Sequence, residues 1–541
     1  MKPFQIAIDG PAGAGKSTIA RKVAHQLGFI YIDTGAMYRA MALYLIGQGV
    51  KENPSSHKRD EQIALLCKDA NISIVFQGGE QSVLLNGEHV DALLRTPEVT
   101  SMASICSAVP TVRTYLVSLQ RKLAESQNVV MDGRDIGTVV LPHASLKIYL
   151  TASAKVRAKR RYLEIREKEG KKTGLSNEEE LARIQNEIEE RDKRDQTREI
   201  SPLRQAKDAV LIDSSDMTVD QVSEKILNLA AEKLGRPYVV TASSAGFCFG
   251  VQNAVDTVYR EIEKRKELLK EGENTKEYPI NTFGPIIHNE TVVEELEQQG
   301  VGILHSVDEA LGQQGGSIIL RSHGVSKATF DALQNGKAKV VDSTCPFVKK
   351  IHEIVYEASL AGKHVVIIGN HGHAETEGTV GWCVGEKTDQ NEQPSNVTVI
   401  ETQEEAEQFS CDKTKTVCIV AQTTFNAAKF EKFVAVIAAN GYNIETNETI
   451  CSATCERQIQ AKQLAKKADV MIVIGGRGSS NTAKLYEICK EECGRTCFVQ
   501  TADDLHLELD GSEKMIGITA GASTPKKIIE EVQSNVRRAD F

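Results

Sequence analysis

Gly10-Pro-Ala-Gly-Ala-Gly-Lys16-Ser17 is the stretch that decides the fold of the first half of this chain. It follows an apolar segment, Phe4-Gln-Ile-Ala-Ile-Asp9, which predicts a buried strand, and a helical pattern begins at Lys16. The stretch fits the pattern G-x-x-x-x-G-K-[ST]. Its glycines let backbone N–H groups turn toward phosphate oxygens, and the helix N-terminus adds partial positive charge. The sequence therefore predicts a phosphate-binding loop in an α/β domain with a parallel sheet.

This loop supplies the first candidate site residues. Lys16 can reach the β- and γ-phosphates of a nucleotide, and Ser17 can hold Mg²⁺. We therefore expect ATP with Mg²⁺ at the loop, and Lys16 as a catalytic residue. The expected ATP-binding residues are Gly10, Gly13, Gly15, Lys16, Ser17 and Thr18. A chance glycine turn is the alternative, and the flanking strand and helix patterns argue against it.

The composition limits the kinds of protein that this chain can be. Its 541 residues are too many for one core, which predicts two to four domains. A net charge of -9 gives no reason to expect nucleic acid as a partner. No apolar run approaches the length of a membrane span, and the start lacks the apolar core of a signal peptide. We therefore expect a cytoplasmic protein without a membrane partner, whose 12 cysteines serve metal or redox chemistry.

A boundary between two domains is expected near residues 235–238. A helical pattern runs from Val219 to Lys233, and Gly235-Arg-Pro237 stops it. A new strand pattern begins at Tyr238. The two expected domains are residues 1–235 and 238–541.

Two segments interrupt the α/β rhythm of the first domain. Residues 73–91 alternate in polarity around the turn pairs Gly78-Gly79 and Asn86-Gly87, which predicts a small antiparallel insert within about residues 50–100. Residues 154–200 are dense in charge and predict exposed helices. We interpret this second segment as a mobile lid rather than a patch that binds nucleic acid.

In the second half, apolar strands repeatedly end in loops that carry Gly, Ser, His or Cys. Ligands in parallel α/β sheets lie beyond the carboxyl ends of the strands. Cys248, Cys345 and Cys451 follow one another at intervals of about one hundred residues. This spacing predicts three similar α/β modules, each of which contributes one cysteine to a shared centre.

Residues 1 to about 230 resemble the cytidylate (CMP) kinases. The matching segments are Tyr31-Ile-Asp33-Thr34-Gly-Ala-Met-Tyr-Arg39, Asp132-Gly-Arg134-Asp135-Ile-Gly-Thr-Val-Val and Arg191-Asp-Lys-Arg-Asp195-Gln-Thr-Arg198. The resemblance implies ATP-dependent phosphorylation of CMP or dCMP. It implies that the acceptor's sugar and phosphate are held by Asp33, Thr34, Arg39, Arg134 and Asp195. The cytosine ring would be recognised by Ser104, Arg113 and Asp135, and Arg191 and Arg198 would close over the transferring phosphoryl group.

Two alternatives accompany this resemblance. A charge run such as Arg191 to Arg198 is commonly a solvated, salt-bridged helix end. The domain could also be a different small-molecule kinase, and UMP or AMP could be its acceptor. Arginine forks suit phosphate, and a carboxylate such as Asp135 can accept from the exocyclic amine of cytosine, which favours the CMP hypothesis.

From Tyr238 onward the chain resembles 4-hydroxy-3-methylbut-2-enyl diphosphate reductase, which completes the methylerythritol phosphate route to isoprenoids. The matching segments are Ala245-Gly-Phe-Cys248-Phe-Gly-Val, His288-Asn289, Ser322-His323-Gly-Val, Asp342-Ser-Thr-Cys345-Pro, His371-Gly-His373-Ala-Glu375, Gln422-Thr423-Thr424, Cys451-Ser-Ala-Thr, Gly478-Ser-Ser480-Asn481 and Thr519-Ala-Gly-Ala-Ser523. They span the second half in the expected order.

The second resemblance implies one [4Fe-4S] cluster held by Cys248, Cys345 and Cys451, with a fourth iron open to the substrate's hydroxyl oxygen. It implies reductive loss of that hydroxyl, which gives isopentenyl and dimethylallyl diphosphate, with ferredoxin or flavodoxin as electron donor. Glu375 would be the catalytic acid, with Thr423 and His373 as its relay. The residues implied to bind the diphosphate substrate are His288, His323, His373, Thr423, Ser479, Ser480, Asn481 and Ser523.

The other cysteines and the overall role leave alternatives open. Small buried hydrophobes are the expectation for Cys383, Cys411 and Cys418. On a helix, the spacing of Cys489, Cys493 and Cys497 would place them along one face, which allows a second metal site. We favour the alternative hypothesis that they are plain core or surface thiols. Cys455 follows Cys451 by four residues without an assigned role. The leading hypothesis is a bifunctional fusion enzyme, and the alternative is a CMP kinase regulated by a non-catalytic redox-sensing module.

Overall fold

The computed structural model describes residues 2–51, 56–77, 80–169, 176–270, 278–385, 387–388 and 391–538. The chain forms two compact units, residues 1–238 and 239–541. Each unit is built on parallel β-sheets covered by helices, as the sequence predicts.

The first unit contains a five-stranded parallel sheet. A smaller, three-stranded antiparallel sheet accompanies it. The strands of the two sheets are β1 (Gln5–Asp9), β2 (Ile30–Asp33), β3 (Ile72–Gln77), β4 (Glu80–Leu85), β5 (Glu88–His89), β6 (Val129–Gly133), β7 (Leu146–Thr151) and β8 (Val210–Asp213). Its helices are α1 (Lys16–Leu27), α2 (Thr34–Gly47), α3 (Ser56–Leu66), α4 (Pro97–Cys106), α5 (Pro110–Ala124), α6 (Ala154–Glu169), α7 (Asn177–Thr197) and α8 (Val219–Leu234).

Strand β1 is central in the main sheet, whose order is β2-β6-β1-β7-β8. Its side chains from Ile6 to Asp9 are buried, because helices cover both faces of the sheet. The chain then turns tightly into α1. Gly10 has a φ of 151°, and a Cβ atom there would lie 1.9 Å from the carbonyl oxygen of Leu150. Only glycine fits at this point, which brings the loop to the carboxyl end of the sheet.

The antiparallel insert expected from residues 73–91 is present. Strands β3, β4 and β5 pair antiparallel, and Leu85 pairs with Glu88 across a turn. The two turn residues have positive φ, 54° at Asn86 and 89° at Gly87, which is the geometry that an Asn-Gly hairpin requires. The turn expected at Gly78-Gly79 lies outside the described residues.

The charged segment 154–200 contains the two helices α6 and α7, and residues 170–175 between them lie outside the described residues. Ser176 caps α7 in a capping box with Glu179. Helix α8 ends where the sequence predicts, at Gly235 with a φ of 65°.

The second unit repeats one architecture three times. Its strands are β9 (Tyr238–Thr241), β10 (Ile280–Phe283), β11 (Val301–Leu304), β12 (Ser317–Leu320), β13 (Lys339–Asp342), β14 (His364–Ile368), β15 (Lys387–Thr388), β16 (Asn391–Pro394), β17 (Val397–Ile400), β18 (Val417–Ala421), β19 (Ile444–Thr446), β20 (Val470–Ile474), β21 (Thr496–Val499) and β22 (Met515–Ala520). Its helices are α9 (Phe249–Lys270), α10 (Glu290–Gln298), α11 (Val307–Gly312), α12 (Lys327–Gln334), α13 (Pro346–Leu360), α14 (Ala374–Val380), α15 (Gln403–Gln408), α16 (Ala427–Ala439), α17 (Ser452–Ala465), α18 (Ser480–Glu492) and α19 (Lys526–Arg538).

Three four-stranded sheets have equivalent strand orders, which confirms the predicted three modules. The orders are β11-β10-β12-β13, β17-β14-β18-β19 and β21-β20-β22-β9. In the third sheet the fourth position is taken by β9, which comes first in the chain of this unit. The first strand of the unit therefore completes the sheet of the third module. Beside these sheets, β15 and β16 form a small antiparallel pair.

None of the helices in the described part of the chain combines the length and the apolar character that crossing a bilayer requires.

Candidate active sites

A cavity of about 1040 Å³ opens beside the phosphate loop in the first unit. It brings together the nucleotide-site residues expected from the sequence, apart from Gly10, which shapes the loop. The expected residues that line it are Gly13, Gly15, Lys16, Ser17, Thr18, Asp33, Thr34, Arg39, Ser104, Arg113, Arg134, Asp135, Arg191, Asp195 and Arg198.

The phosphate loop is held by hydrogen bonds to its own backbone and to strand β6. Lys16 Nζ donates to the Pro11 carbonyl at 2.8 Å. Ser17 Oγ donates to Asp132 Oδ2 at 2.9 Å, and Tyr31 donates to the other oxygen of the same carboxylate at 2.9 Å. The hydroxyl and the carboxylate thus lie together at the start of α1, where a Mg²⁺ ion that bridges nucleotide phosphates would need oxygen ligands.

Burial affects the protonation of Lys16 and Asp132 at the phosphate loop. Desolvation, with Arg134 nearby, lowers the pKa of Lys16 well below its usual value. Desolvation, reinforced by Asp33, raises the pKa of Asp132 to about 6. Each group in its charged form is therefore costly until an opposite charge arrives, and a magnesium–nucleotide complex supplies both signs.

The acceptor side of the cavity consists of arginines paired with carboxylates. The pairs are Arg39 with Asp33 at 2.9 Å, Arg134 with Asp195 at 2.9 Å, Arg113 with Asp135, and Arg198 with Asp135 at 4.0 Å. Arg191 has no carboxylate within this distance among the described residues, and burial lowers its pKa. These pairs fix the arginine forks in place before an anionic substrate binds.

Sequence reasoning missed two groups of this site. Asp132 stands directly after the buried segment Val129–Met131, at the end of the strand beside β1, and that position is the signal that could have identified it. Gln81 belongs to the insert and accepts a hydrogen bond from the Asp33 backbone N–H at 2.7 Å. No sequence signal connects Gln81 to Asp33, since only the folded insert brings them together.

A second cavity, of about 40 Å³, lies in the second unit. Its polar lining comes from loops that follow the first and third strands of the three sheets. The lining residues are Val251, Ile287, His288, Ser322, His323, His373, Thr424, Ser479, Ser480, Asn481 and Ser523. The expected residue Thr423 lies against Glu375 instead, and its neighbour Thr424 lines the cavity.

Three histidines converge on this cavity. Ring nitrogens of His288, His323 and His373 lie within 4.8 Å of one another, and the centroids of the first two rings are 4.4 Å apart. Burial lowers the pKa of all three, that of His373 to about 4. His373 Nδ1 accepts from the Glu375 backbone N–H at 3.2 Å, which leaves the proton of the neutral ring on Nε2. The three rings therefore favour the neutral form, in which each can donate one hydrogen bond.

Several polar atoms at this cavity lack a partner among the described residues. They are His288 Nε2, His323 Nδ1, and both the amide nitrogen and the carbonyl oxygen of the Asn481 side chain. Two hydroxyls donate to internal acceptors, Ser480 to Asn370 at 3.0 Å and Ser523 to the His288 carbonyl at 3.1 Å. Buried polar atoms without partners are costly, and a ligand rich in acceptor oxygens would satisfy the nitrogen donors among them.

Glu375 lies at the start of α14 and is 2% exposed. Its carboxylate accepts from the Thr423 backbone N–H at 2.6 Å and from the Thr423 hydroxyl at 2.7 Å. Burial raises the pKa of Glu375 to about 7, and the two hydrogen bonds from Thr423 oppose that rise. His373 contacts the backbone of Glu375 and not its carboxyl group, so the described contacts connect Thr423 alone to the acid.

Each of the three expected cluster cysteines stands at the start of a helix. Cys345 and Cys451 are the N-caps of α13 and α17, and Cys248 directly precedes α9. All three follow the fourth strand of their sheets and are half-buried. Burial raises the pKa of Cys345 to about 11, with further contributions from Cys248 and Cys451, which places the three thiols near one another. Positive helix N-termini favour thiolates and the anionic centre that thiolates would form.

The arrangement of these cysteines fits a multi-iron cluster better than a single ion. Among the described residues, the only group of ligand atoms within 4.8 Å of one another is the histidine trio, so the three sulfurs are spread more widely. A cubane binds each thiolate through a different iron and tolerates that spread. A Cβ atom at Gly250 would lie 2.6 Å from Cys345 Sγ, so this helix position leaves room for the sulfur only as glycine.

The remaining cysteines lie apart from both cavities. Cys383 and Cys418 are buried as expected, whereas Cys411 is half-buried. The helix interpretation of Cys489, Cys493 and Cys497 is wrong, because α18 ends at Glu492 and Cys497 lies in strand β21. The thiol of Cys493 points at three backbone carbonyls, and no described group of metal ligands includes it.

Comparison with known families gives two matches, one for each unit. The family model of cytidylate kinases matches residues 6–232, and the family model of LytB proteins matches residues 239–537. A cytidylate kinase of Caldicellulosiruptor saccharolyticus is 47% identical over 235 residues, which cover 43% of this chain and 99% of that protein.

A 4-hydroxy-3-methylbut-2-enyl diphosphate reductase of Thermoanaerobacter sp. strain X514 is 40% identical over 299 residues, which cover 55% of this chain and 96% of that protein. Among solved structures, the E-1-hydroxy-2-methyl-but-2-enyl-4-diphosphate reductase of Plasmodium falciparum superposes with a TM-score of 0.50 at 24% identity. That match covers 56% of this chain and 89% of the other, and it shows a shared fold.

Proposed function

We propose that this chain, which belongs to the cytidylate kinase family through residues 6–232 and to the LytB protein family through residues 239–537, is a bifunctional enzyme. One activity transfers a phosphoryl group from ATP to CMP or dCMP. The other uses two electrons and two protons to reduce 4-hydroxy-3-methylbut-2-enyl diphosphate to isopentenyl or dimethylallyl diphosphate and water, one proton going to the departing hydroxyl and the other to the allylic carbon. The observation that carries the proposal is that each unit holds its own cavity, the first lined by the phosphate loop and the arginine–carboxylate pairs, the second by three histidines and Asn481.

In the kinase unit, positioning and positive charge do the catalytic work. Lys16 and the backbone of the phosphate loop hold the ATP phosphates, and Ser17 with Asp132 supplies oxygen ligands for Mg²⁺. We propose that α6 and α7 form a lid whose Arg191 closes over the transferring phosphoryl group together with Arg198.

The acceptor nucleotide would bind among the arginine–carboxylate pairs. Arg39 and Arg134 face the acceptor phosphate, and each is held by its own carboxylate until the phosphate replaces it. Arg113 and Asp135 form a donor and acceptor pair that matches the edge of cytosine. This pairing supports CMP over UMP, because the exocyclic amine and ring nitrogen of cytosine complement a carboxylate and a guanidinium, whereas uracil presents a carbonyl oxygen and a ring N–H at those positions.

In the reductase unit, the three neutral histidines with Asn481 and Ser523 hold the diphosphate. The diphosphate oxygens would accept hydrogen bonds from the buried nitrogen atoms that have no protein partner among the described residues. A [4Fe-4S] cluster, held by Cys248, Cys345 and Cys451, would supply the two electrons of the reaction one at a time. Glu375 would deliver a proton to the departing hydroxyl oxygen, since its pKa of about 7 keeps a protonated fraction at neutral pH.

We propose ferredoxin or flavodoxin as the electron donor, since each delivers single electrons at low potential. We propose the cytoplasm as the place of action, since a reducing compartment suits a protein whose 12 cysteines form no disulfide. Residues 1–235 and 238–541 would then be separately folding catalytic domains.

The test is an assay of both activities on one preparation. Protein purified without oxygen and supplied with iron and sulfide is expected to reduce the diphosphate substrate with reduced viologen, and to lose this activity in air. The same protein is expected to prefer CMP or dCMP over UMP and AMP as phosphoryl acceptor. A preparation with a full cluster and no turnover would contradict the reductase, and a preference for AMP would contradict the acceptor assignment.

A further inference from the structure

Arg457 is a buried arginine beside two of the three cluster cysteines. It belongs to α17, the helix that begins after Cys451, and it is 3% exposed. Its Nε donates to the Ser244 carbonyl at 3.0 Å and its Nη2 donates to the Gly246 carbonyl at 2.8 Å. Both carbonyls belong to the loop that leads into Cys248. One guanidinium group therefore ties the loop of one cysteine to the helix of another.

The guanidinium has no carboxylate partner among the described residues. Its remaining hydrogen bond, at 3.5 Å, goes to the Ala453 carbonyl in its own helix. The arginines of the nucleotide cavity differ in this respect, since Arg39, Arg113 and Arg134 each contact a carboxylate. An unpaired buried cation is destabilising unless another negative charge lies near it.

Two of the cluster cysteines lie near the Arg457 guanidinium, one after the loop that it binds and one at the start of its own helix. Burial lowers the pKa of Arg457, and Cys248, Cys451 and Glu456 act in the opposite direction. The loop from Ser243 to Cys248 is held to α17 a second time, because Gln460 accepts from the Ser244 backbone N–H at 2.9 Å. Arg457 and Gln460 thus hold the loop before Cys248 against the helix that follows Cys451.

We propose that Arg457 is a positioning residue for the iron–sulfur centre, and that its buried charge favours the reduced state of that centre. This inference rests on the proposed reductase function. Three thiolates around an iron–sulfur core make a centre that is negative overall, and reduction adds one more negative charge. A fixed cation in a region of low dielectric stabilises the reduced centre more than the oxidised one. Loss of the cation should therefore lower the midpoint potential.

The experiment compares Arg457→Gln and Arg457→Lys in the full chain, loaded with iron and sulfide without oxygen. Potentiometric titration followed by electron paramagnetic resonance measures the midpoint potential, and chelation kinetics measure the loss of iron. Lys350→Gln is the matched control, because Lys350 is an exposed cation on the helix that begins after Cys345 and solvent screens its charge.

Arg457→Gln is expected to lower the ratio of reduced to oxidised centre about tenfold at a fixed potential, which corresponds to about 1.4 kcal/mol. Arg457→Lys keeps the charge and is expected to retain the wild-type potential, although it loses iron faster because one lysine cannot replace both hydrogen bonds. Lys350→Gln should change neither quantity.

A wild-type potential in loaded Arg457→Gln would overturn the inference. So would an equal shift in the Lys and Gln variants, because charge would then not be the cause. If Arg457→Gln takes up no iron, the Lys variant decides: a wild-type potential supports the inference and a lowered one overturns it. Wild-type protein that never takes up a cluster would overturn the proposed reductase itself, whereas wild-type turnover with an unmoved potential in the Gln variant overturns this inference alone.

Discussion

The two cavities both suit phosphate groups, and they do so by opposite means. The nucleotide cavity measures about 1040 Å³ and presents arginines already paired with carboxylates. The diphosphate cavity measures about 40 Å³ and presents neutral histidines and an asparagine whose polar atoms lack partners. In the larger cavity carboxylate partners stabilise the charged side chains, whereas the smaller cavity uses uncharged donors, because unpaired buried ions are costly.

The two sites also differ in how the chain assembles them. The phosphate loop is one continuous stretch between β1 and α1, so a single local motif builds much of the first site. The second cavity is lined by two loops from each of the three sheets, and one of the three expected cluster cysteines follows the fourth strand of each sheet. Damage to one module should therefore disable the whole second site without affecting the first.

The largest expected effect tests this independence. Cys345→Ser should abolish reduction of the diphosphate substrate, because the centre loses one of its three thiolates, and it should leave CMP phosphorylation unchanged. Iron and sulfide quantitation together with both assays measures the outcome. Cys411→Ser is the control, since that half-buried thiol lies in another part of the unit. An iron-loaded, active Cys345→Ser protein would contradict the assignment of the centre.

The reciprocal change removes the cation of the phosphate loop. Lys16→Met should lower the kcat of CMP phosphorylation about 10²–10³-fold, because the transferring phosphoryl group loses a buried positive charge. Reductase activity should persist. Steady-state kinetics of both reactions provide the measurement, and Lys22→Met, on the same helix but paired with Asp220, should leave both unchanged. A loss of reductase activity in Lys16→Met would show that the two sites are coupled.

The buried acid of the second site gives a dependence on pH. Glu375→Gln should lower kcat about a hundredfold, because it removes the proton donor. In the wild type, Glu375 is protonated below its pKa of about 7, so activity should fall as the pH rises through about 7. Thr423→Val removes a hydrogen bond that favours the charged form, so the falling limb should move to higher pH.

The control for this shift is Thr379→Val. Its hydroxyl donates at 2.8 Å to the backbone carbonyl of Glu375 and not to the carboxyl group, so the limb should stay in place. An unchanged pH profile in Thr423→Val would show that another group controls the profile.

The smallest expected effect concerns His323, a neutral hydrogen-bond donor in the smaller cavity. His323→Ala should raise the KM for the diphosphate substrate about tenfold, in line with the loss of one hydrogen bond to a charged ligand. Initial-rate kinetics measure it. His371→Ala is the control, because His371 pairs with Glu405 and does not line the cavity. Equal effects of both variants would place the diphosphate elsewhere.

Much of the fold follows from the sequence because its signals are local. The phosphate loop, the Asn86-Gly87 hairpin turn and the end of α8 at Gly235 each depend on glycine or asparagine conformations that neighbouring residues cannot change. The three modules follow from strand and cysteine spacing. The placement of Cys489, Cys493 and Cys497 along one helix face fails, because periodicity does not show that α18 ends at Glu492.

The roles of the individual site residues remain proposals, and here the structure adds what spacing could not. Thr423 contacts the Glu375 carboxylate while Thr424 lines the cavity, a distinction between neighbours that depends on which way each side chain points. Gln81 and Asp132 reach the nucleotide site through strands that are distant in sequence from the phosphate loop.

By itself, the sequence determined that two sets of chemical groups follow one another on this chain, since motif and helix signals act over a few residues. Only the tertiary structure decided which of those groups are buried away from solvent and which have a hydrogen-bond or ion-pair partner. Burial raises the pKa of Glu375 and lowers the pKa of the histidines, and the fold places no carboxylate against Arg457 among the described residues. Each of these effects depends on all the residues that pack around the group. Those neighbours come from three separate modules, and no local stretch of sequence contains them.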